Sequence, residues 1–290
     1  MIFPIRVKTF IRLNVLKGVQ QVRIAYLESI NAVRSISLLN NIMRARNNSL
    51  SNISFDESNN DIEQENYKKT CFTEFRVCAD RLSRADEQLL NLNLVIKKIN
   101  ELLKLSANEP ELYHKPFPQD VYYDLNNNFA SILKIGKALT KSIFKLSNKL
   151  QNMSEHSTGY DDITLHLSTF DYFINHILLI SYKSDQALKS AYKSLRLLYE
   201  HEDDKDQHNL DDIVTLARTS EKLLIKCDEH FRINYLKQQH ITILDPRFLM
   251  AWQNCFELSL DFVNLISNLG ISLLNIREVE AHNMKIRKTK

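Results

Sequence analysis

The stretch CFTEFRVCADRLSRADEQLLNLNLVIKKINELL, residues 71–103, decides the fold. Phe75, Leu82, Leu89, Ile96 and Leu103 recur every seven residues, and Cys71, Cys78, Ala85, Leu92 and Ile99 fill a second seam at the same interval. Two apolar positions per seven residues mark a helix buried along one stripe against other helices. Val95 and Leu102 widen the stripe beyond a two-stranded seam, so more than two helices are expected to meet here. The pattern predicts a helix from about Ile62 to Ser106.

The same spacing runs outward in both directions. Toward the C-terminus, after a loop over 107–118 that holds Pro110, Pro116 and Pro118, a helix is expected over about 119–154. Its seams are Leu125, Ile132, Leu139, Leu146 and Met153, and Phe129, Gly136, Ile143 and Leu150. Gly136 in a seam admits the close approach of a neighbouring backbone. A further helix over about 161–199 carries Leu167, Ile174, Ser181, Leu188 and Leu195, with Phe170, Ile177, Ser184, Ala191 and Leu198 beside them. The next helix is expected over about 211–239. Asp245-Pro246 then reads as an N-cap followed by proline at the first helical position, opening a helix to about Met284. In that last helix, Cys255, Phe262, Leu269 and Ile276 form one seam, and Trp252, Ser259, Ile266 and Leu273 the other. Toward the N-terminus, a helix from about Pro4 to Arg46 is apolar in nearly every direction, as for a helix buried on several sides. The polar stretch 47–61 reads as an exposed loop.

Composition agrees. The 290 residues include only 4 glycines and 5 prolines, with 44% hydrophobic and 25% charged residues. An average chain carries about 7% glycine, so tight-turned sheet folds and glycine-rich phosphate loops are excluded. The expected fold class is all-α: an elongated antiparallel bundle of about six long helices with heptad-type seams. Helices of this length are roughly 45–65 Å long. Residues 1–290 read as one helical-bundle domain, with a division near 157 as the less favoured alternative. The chain shows no signal peptide, and its most apolar runs, 170–182 and 262–274, are shorter than the ~20 residues of a membrane span. Cys71, Cys78, Cys227 and Cys255 are too scattered for a disulfide framework. The expectation is a cytoplasmic protein with no transmembrane segment; delivery to another cell without a cleaved signal also fits.

The net charge of +3 is unevenly distributed. Residues 1–48 are strongly basic, the tail is basic, and acids cluster at 56–65 and 200–212. Within the basic end, Arg12, Arg23 and Arg34 stand eleven apart, nearly three helical turns, and so fall close to one line. Lys8 and Arg44 flank them. Such a row could track phosphates of nucleic acid or of an acidic membrane. The competing reading, and the favoured one, is that the basic ends match acids of the same fold.

Two Arg-x4-His spacings occur, Arg196 with His201 and Arg277 with His282. They resemble the ribonuclease motif of the HEPN families, which are helical. That resemblance implies an Arg and a His acting on a scissile phosphate and its proton transfers. It covers two residues each time, with Leu197 where the families carry a polar residue and Glu278 adding negative charge. Five residues also set the two side chains roughly 140° apart on a helix, so solvated helix ends are the simpler reading. Metal-ligand spacings are missing from the histidine-rich run 201–208, and no cofactor motif is found, so no metal or cofactor is expected. Function therefore reads first as a non-enzymatic interaction or scaffold protein. It would bind partner proteins, or itself, through extended helix surfaces. The alternatives are the anion-surface binder and the HEPN-like ribonuclease.

Overall fold

A computed structural model describes residues 3–50, 57–107, 118–155, 160–201 and 246–288. Five long helices account for them: α1 Phe3–Leu50, α2 Glu57–Ala107, α3 Gln119–Glu155, α4 Tyr160–His201 and α5 Pro246–Lys288. The helix expected over 211–239 lies outside the described residues, as does Cys227.

Seam residues make the core. Every residue of the two α2 seams is buried, and Ala85, Leu89, Leu92, Ile99 and Leu103 are completely so. One continuous apolar cluster runs through all five helices. Around the bundle the helices neighbour one another in the order α1, α2, α3, α5, α4 and back to α1, with α1 also touching α3 across the middle. That position explains why α1 is apolar on several sides: Val15, Val22, Tyr26, Ile36 and Leu39 are all fully buried. Tyr26 meets Phe262 of α5 edge-on, with ring centroids 5.4 Å apart.

Close packing falls where the small residues are. A Cβ added to Gly136 would lie 2.9 Å from Leu89 Cδ2, so α3 and α2 touch at the expected glycine. Gly18 serves in the same way on α1, lying against the ring of Phe129. The small-residue stretch of α4 meets α5 through Ser184 and Ser267, whose hydroxyls are 3.1 Å apart.

One expectation is corrected. The loop over 47–61 is shorter than its polarity suggests, because α1 continues to Leu50 and α2 begins at Glu57. Extending an existing helix costs little per residue even through serine and asparagine, whereas nucleation is the costly step. Contacts between helices fix the chain directions. α1–α2, α2–α3, α3–α5 and α1–α4 run antiparallel, but α4 and α5 run parallel. Ser184 pairs with Ser267, and fifteen residues further along α4 Tyr199 reaches the same Tyr122 hydroxyl that binds Glu280 of α5. Short connections enforce antiparallel neighbours; with a helix expected over 211–239 between them, α4 and α5 are the fourth and sixth of the expected order, which share a direction when consecutive helices alternate.

The apolar character of α5 follows from its place in the core. Its stretch Met250–Asn283 is long and apolar enough to cross a membrane by length and composition. This differs from the expectation drawn from the short runs. Some 61% of its most apolar window is nevertheless buried within the bundle.

Candidate functional site: the basic row of the first helix

Three of the sequence-selected cations of α1, Lys8, Arg12 and Arg23, lie on the side of the helix that meets α4 and α5. Arg12 Nη2 donates to Glu280 Oε2 at 2.8 Å. Lys8 Nζ is 3.1 Å from the same oxygen. The other carboxylate oxygen, Oε1, accepts from the Tyr122 hydroxyl of α3 at 2.8 Å, which is itself 3.0 Å from the Tyr199 hydroxyl of α4. The Arg12 guanidinium also sits over the Tyr199 ring, 4.7 Å from its centroid. Four helices therefore contribute to one cluster around a glutamate whose side chain is 0% exposed.

Electrostatics in this cluster are those of a buried ion pair. Burial disfavours the Glu280 anion, yet the charge and hydrogen bond of Arg12, then Lys8 and the Tyr122 hydroxyl, hold its carboxyl below the usual range. Burial likewise opposes the Arg12 cation, and Glu280 more than compensates, so its pKa is raised. The Tyr122 hydroxyl is pushed well above its ordinary range, by burial first and then by Tyr199 and Glu280. Both Glu280 oxygens meet donors, so the group is ionised and fully coordinated. Such a carboxylate is suited to clasping helices together and is badly placed for taking a proton from a substrate.

Further along the α1–α4 contact, Gln20 Nε2 donates to the Tyr192 hydroxyl at 2.8 Å. Arg23 grips Asp185 with both ends of its fork, Nε to Oδ1 at 2.6 Å and Nη2 to Oδ2 at 3.0 Å. The hydrogen bonds to Asp185 raise the Arg23 pKa against a smaller opposing effect of burial. Tyr199, Tyr192 and Asp185 are spaced seven apart on α4, and Arg12, Gln20 and Arg23 answer them on α1. The basic row is thus divided. Lys8, Arg12 and Arg23 face acids of the same chain, while Arg34 is exposed. The Arg44 side chain lies outside the described residues.

The two Arg-x4-His pairs are not brought together as sites. Arg196 Nε donates to Glu200 Oε1 at 2.7 Å, an exposed i,i+4 pair on α4, and the His201 side chain lies outside the described residues. Arg277 is buried and His282 is exposed, so α5 sends them to different sides. Among the described residues, no three His, Cys, Asp or Glu side chains converge as metal ligands. The histidine-rich run 201–208 falls outside the described side chains. Cys71, Cys78 and Cys255 are free and buried at their seam positions. Burial pushes the Cys78 thiol up to about 11 and the Cys255 thiol up to about 12. Cys255 also borders a small apolar pocket between α1, α4 and α5, lined by Val33, Ile36, Ile174, Ile177, Trp252 and Phe256. It has room for about one water molecule.

Glu280, Tyr122, Tyr199 and Asp185 are absent from the sequence-selected set, although two of them continue its seams. Glu280 follows Leu273 by seven, and Tyr122 precedes Phe129 by seven. Comparison with protein-family models, curated proteins and solved structures finds no match for this chain.

Proposed function

We propose that this chain is a non-enzymatic interaction protein that binds partner proteins through the outer faces of its long helices. One observation carries the reading. Exposed apolar side chains line up at helical spacing on α1, as Phe10, Leu13, Ile24 and Leu38, and on α2, as Leu90, Leu94 and Leu105. The opposite faces of both helices are locked in the core, so these stripes are held rigid, as a helix-docking surface requires. We read residues 211–239 as the sixth helix of an otherwise antiparallel bundle, and residues 1–290 as one domain, supported by the continuous apolar cluster. A cytoplasmic location belongs to the same proposal, supported by three buried free thiols.

The test uses the full chain as bait beside two stripe variants, Leu13→Glu/Ile24→Glu and Leu90→Glu/Leu94→Glu. Proteins retained by the wild type are identified and then titrated against all three. Loss of binding in a variant of unchanged helicity supports the reading. A wild-type chain that retains no protein and does not self-associate overturns it.

Binding to an anionic surface is the second reading, and the exposure of Lys17 and Arg34 between the α1 stripe residues favours it. Reversing Arg12 or Arg23 would confuse the test, because both hold internal carboxylates. Lys17→Glu/Arg34→Glu is the informative variant. Salt-sensitive binding to DNA, or to vesicles with anionic headgroups, must fall in that variant for the reading to survive.

A further inference from the structure

The outer face of α2 carries a self-complementary order of charged and apolar residues. Leu90 and Leu94 are 58% and 60% exposed and stand at the centre of a line of surface residues spaced three and four apart. On one edge of that line are Asp80, Glu87, Leu94 and Glu101; on the other are Ser83, Leu90, Lys97 and Lys104. All eight are exposed. Acids fall only on the first edge and bases only on the second. In a seam of two helices, antiparallel packing sets each edge against the opposite edge of the neighbour, whereas parallel packing sets like against like.

We propose that two copies of this chain associate through α2, antiparallel, about a two-fold axis passing between Leu90 and Leu94. This deepens the interaction reading and rests on it. In that register Leu90 lies against Leu94 of the second copy, Glu87 against Lys97, Ser83 against Glu101, and Asp80 against Lys104. The two-fold repeats each contact, so four leucines form the centre and four unlike-charge pairs flank it. The paired stretch from Asp80 to Lys104 is about 36 Å long. Pairing along one helix accounts for part of the charge, as in Lys98 with Glu101 at 3.3 Å. Glu87 and Lys97, ten residues and about 15 Å apart on one rod, cannot reach each other within a chain. Pairing along the helix also leaves the leucines between them exposed.

Sedimentation equilibrium over a concentration series tests the proposal. The wild-type chain should rise from 33.9 kDa toward twice that mass. Glu87→Lys and Lys97→Glu each set two like-charge contacts across the axis and should weaken the dimer roughly tenfold or more. The double variant Glu87→Lys/Lys97→Glu exchanges the charges and should restore it, with helicity by circular dichroism unchanged in all three. Rescue by the double variant can arise only between copies. A wild type that stays at 33.9 kDa throughout overturns the dimer; the broader reading then stands or falls on whether the bait retains another protein. A dimer indifferent to the single reversals, or not restored by the exchange, places self-association on another face and overturns the α2 assignment alone.

Discussion

Arg12 and Glu280 lie 268 positions apart and meet at 2.8 Å. Through that contact the beginning of α1 is fastened to the end of α5, two helices that are not adjacent in the order around the bundle. Lys8 and Tyr122 complete the coordination of the carboxylate. A fully buried anion is tolerated only when charge and hydrogen bonds replace the water it has lost. The cluster therefore rewards one arrangement of the four helix ends and penalises any slip of α5 along the bundle.

Removing the carboxylate should be severe. Glu280→Ala removes the carboxylate that Arg12 and Lys8 neutralise and one of the partners of the Tyr122 hydroxyl, in a largely dry site. Breaking a buried pair from one side costs about 3–5 kcal/mol, and the residual exposure of Arg12, 17%, places the expected loss toward the lower figure. Glu280→Gln keeps an acceptor for Tyr122 and should cost less. Urea unfolding of the three proteins decides the matter, and an alanine variant within about 0.5 kcal/mol of wild type, the range of ordinary surface changes, would remove the clasp from the account of stability.

Acid should reproduce the alanine variant by protonation. The folded-state pKa of Glu280 lies below its ordinary value of 4.5, so its stabilisation is complete above that pH. It is lost as pH falls below 4.5 through the folded-state value. Wild-type melting temperature should be level from neutrality to about pH 5 and then decline. Glu280→Gln, which has no proton to gain, should decline less steeply over that interval. Parallel acid limbs for the two proteins would show that other carboxylates govern acid unfolding.

Much of the core was legible in the sequence, and the clasp was not. Phe75, Leu82, Leu89 and the other α2 seam residues are buried where a period of seven puts them, since heptads report directly which side of a helix avoids water. Glu280 and Tyr122 occupy the next steps of the α5 and α3 seams. A periodicity of apolar residues nevertheless stops at the first carboxylate, because the carboxylate's cost of burial depends on partners far away in the chain. Asp185 sits one position beyond Ser184, just off the seam, where it is indistinguishable from a solvated acid until Arg23 is opposite it. Neighbour order was hidden for another reason. Heptads fix which face is buried and are silent on which helix covers it, so the placing of α5 beside α3 and α4 was not legible.

Thiol chemistry gives an independent probe of the core. Cys71, Cys78 and Cys255 are buried, and the neutral thiol is favoured by burial at each. In a Cys227→Ser background, the native protein at pH 8 should react slowly with an aromatic disulfide reagent, at a rate set by opening of the bundle. In denaturant all three thiols should react at once. The raised folded-state values also mean that these groups support the fold fully below pH 9.0. That support is lost as pH climbs toward about 11 for Cys78 and about 12 for Cys255. A rapid native burst of one equivalent would show that one of the three seam positions is open to solvent.

Two glycines of similar helical setting should respond in opposite senses to the same substitution. Gly270 lies inside α5, and a Cβ built there meets nothing within 4 Å. Alanine at 270 therefore adds no clash and removes the entropic penalty of glycine in a helix interior, so Gly270→Ala should stabilise by about 0.5–1 kcal/mol. Gly18 gains the same helical preference from alanine, but its Cβ would fall 2.8 and 2.9 Å from two ring carbons of Phe129 and 3.2 Å from Val95 Cγ1. Phe129 is completely buried, so its ring can retreat only by moving its neighbours. Overpacking of that kind costs about 1–3 kcal/mol, which outweighs the propensity gain, and Gly18→Ala should be net destabilising. Denaturant midpoints of the two variants against wild type give the signs directly. A Gly18→Ala protein as stable as Gly270→Ala would mean that α1 and α3 are not in contact at Phe129, and the approach of α1 to α3 across the middle of the bundle would have to be redrawn.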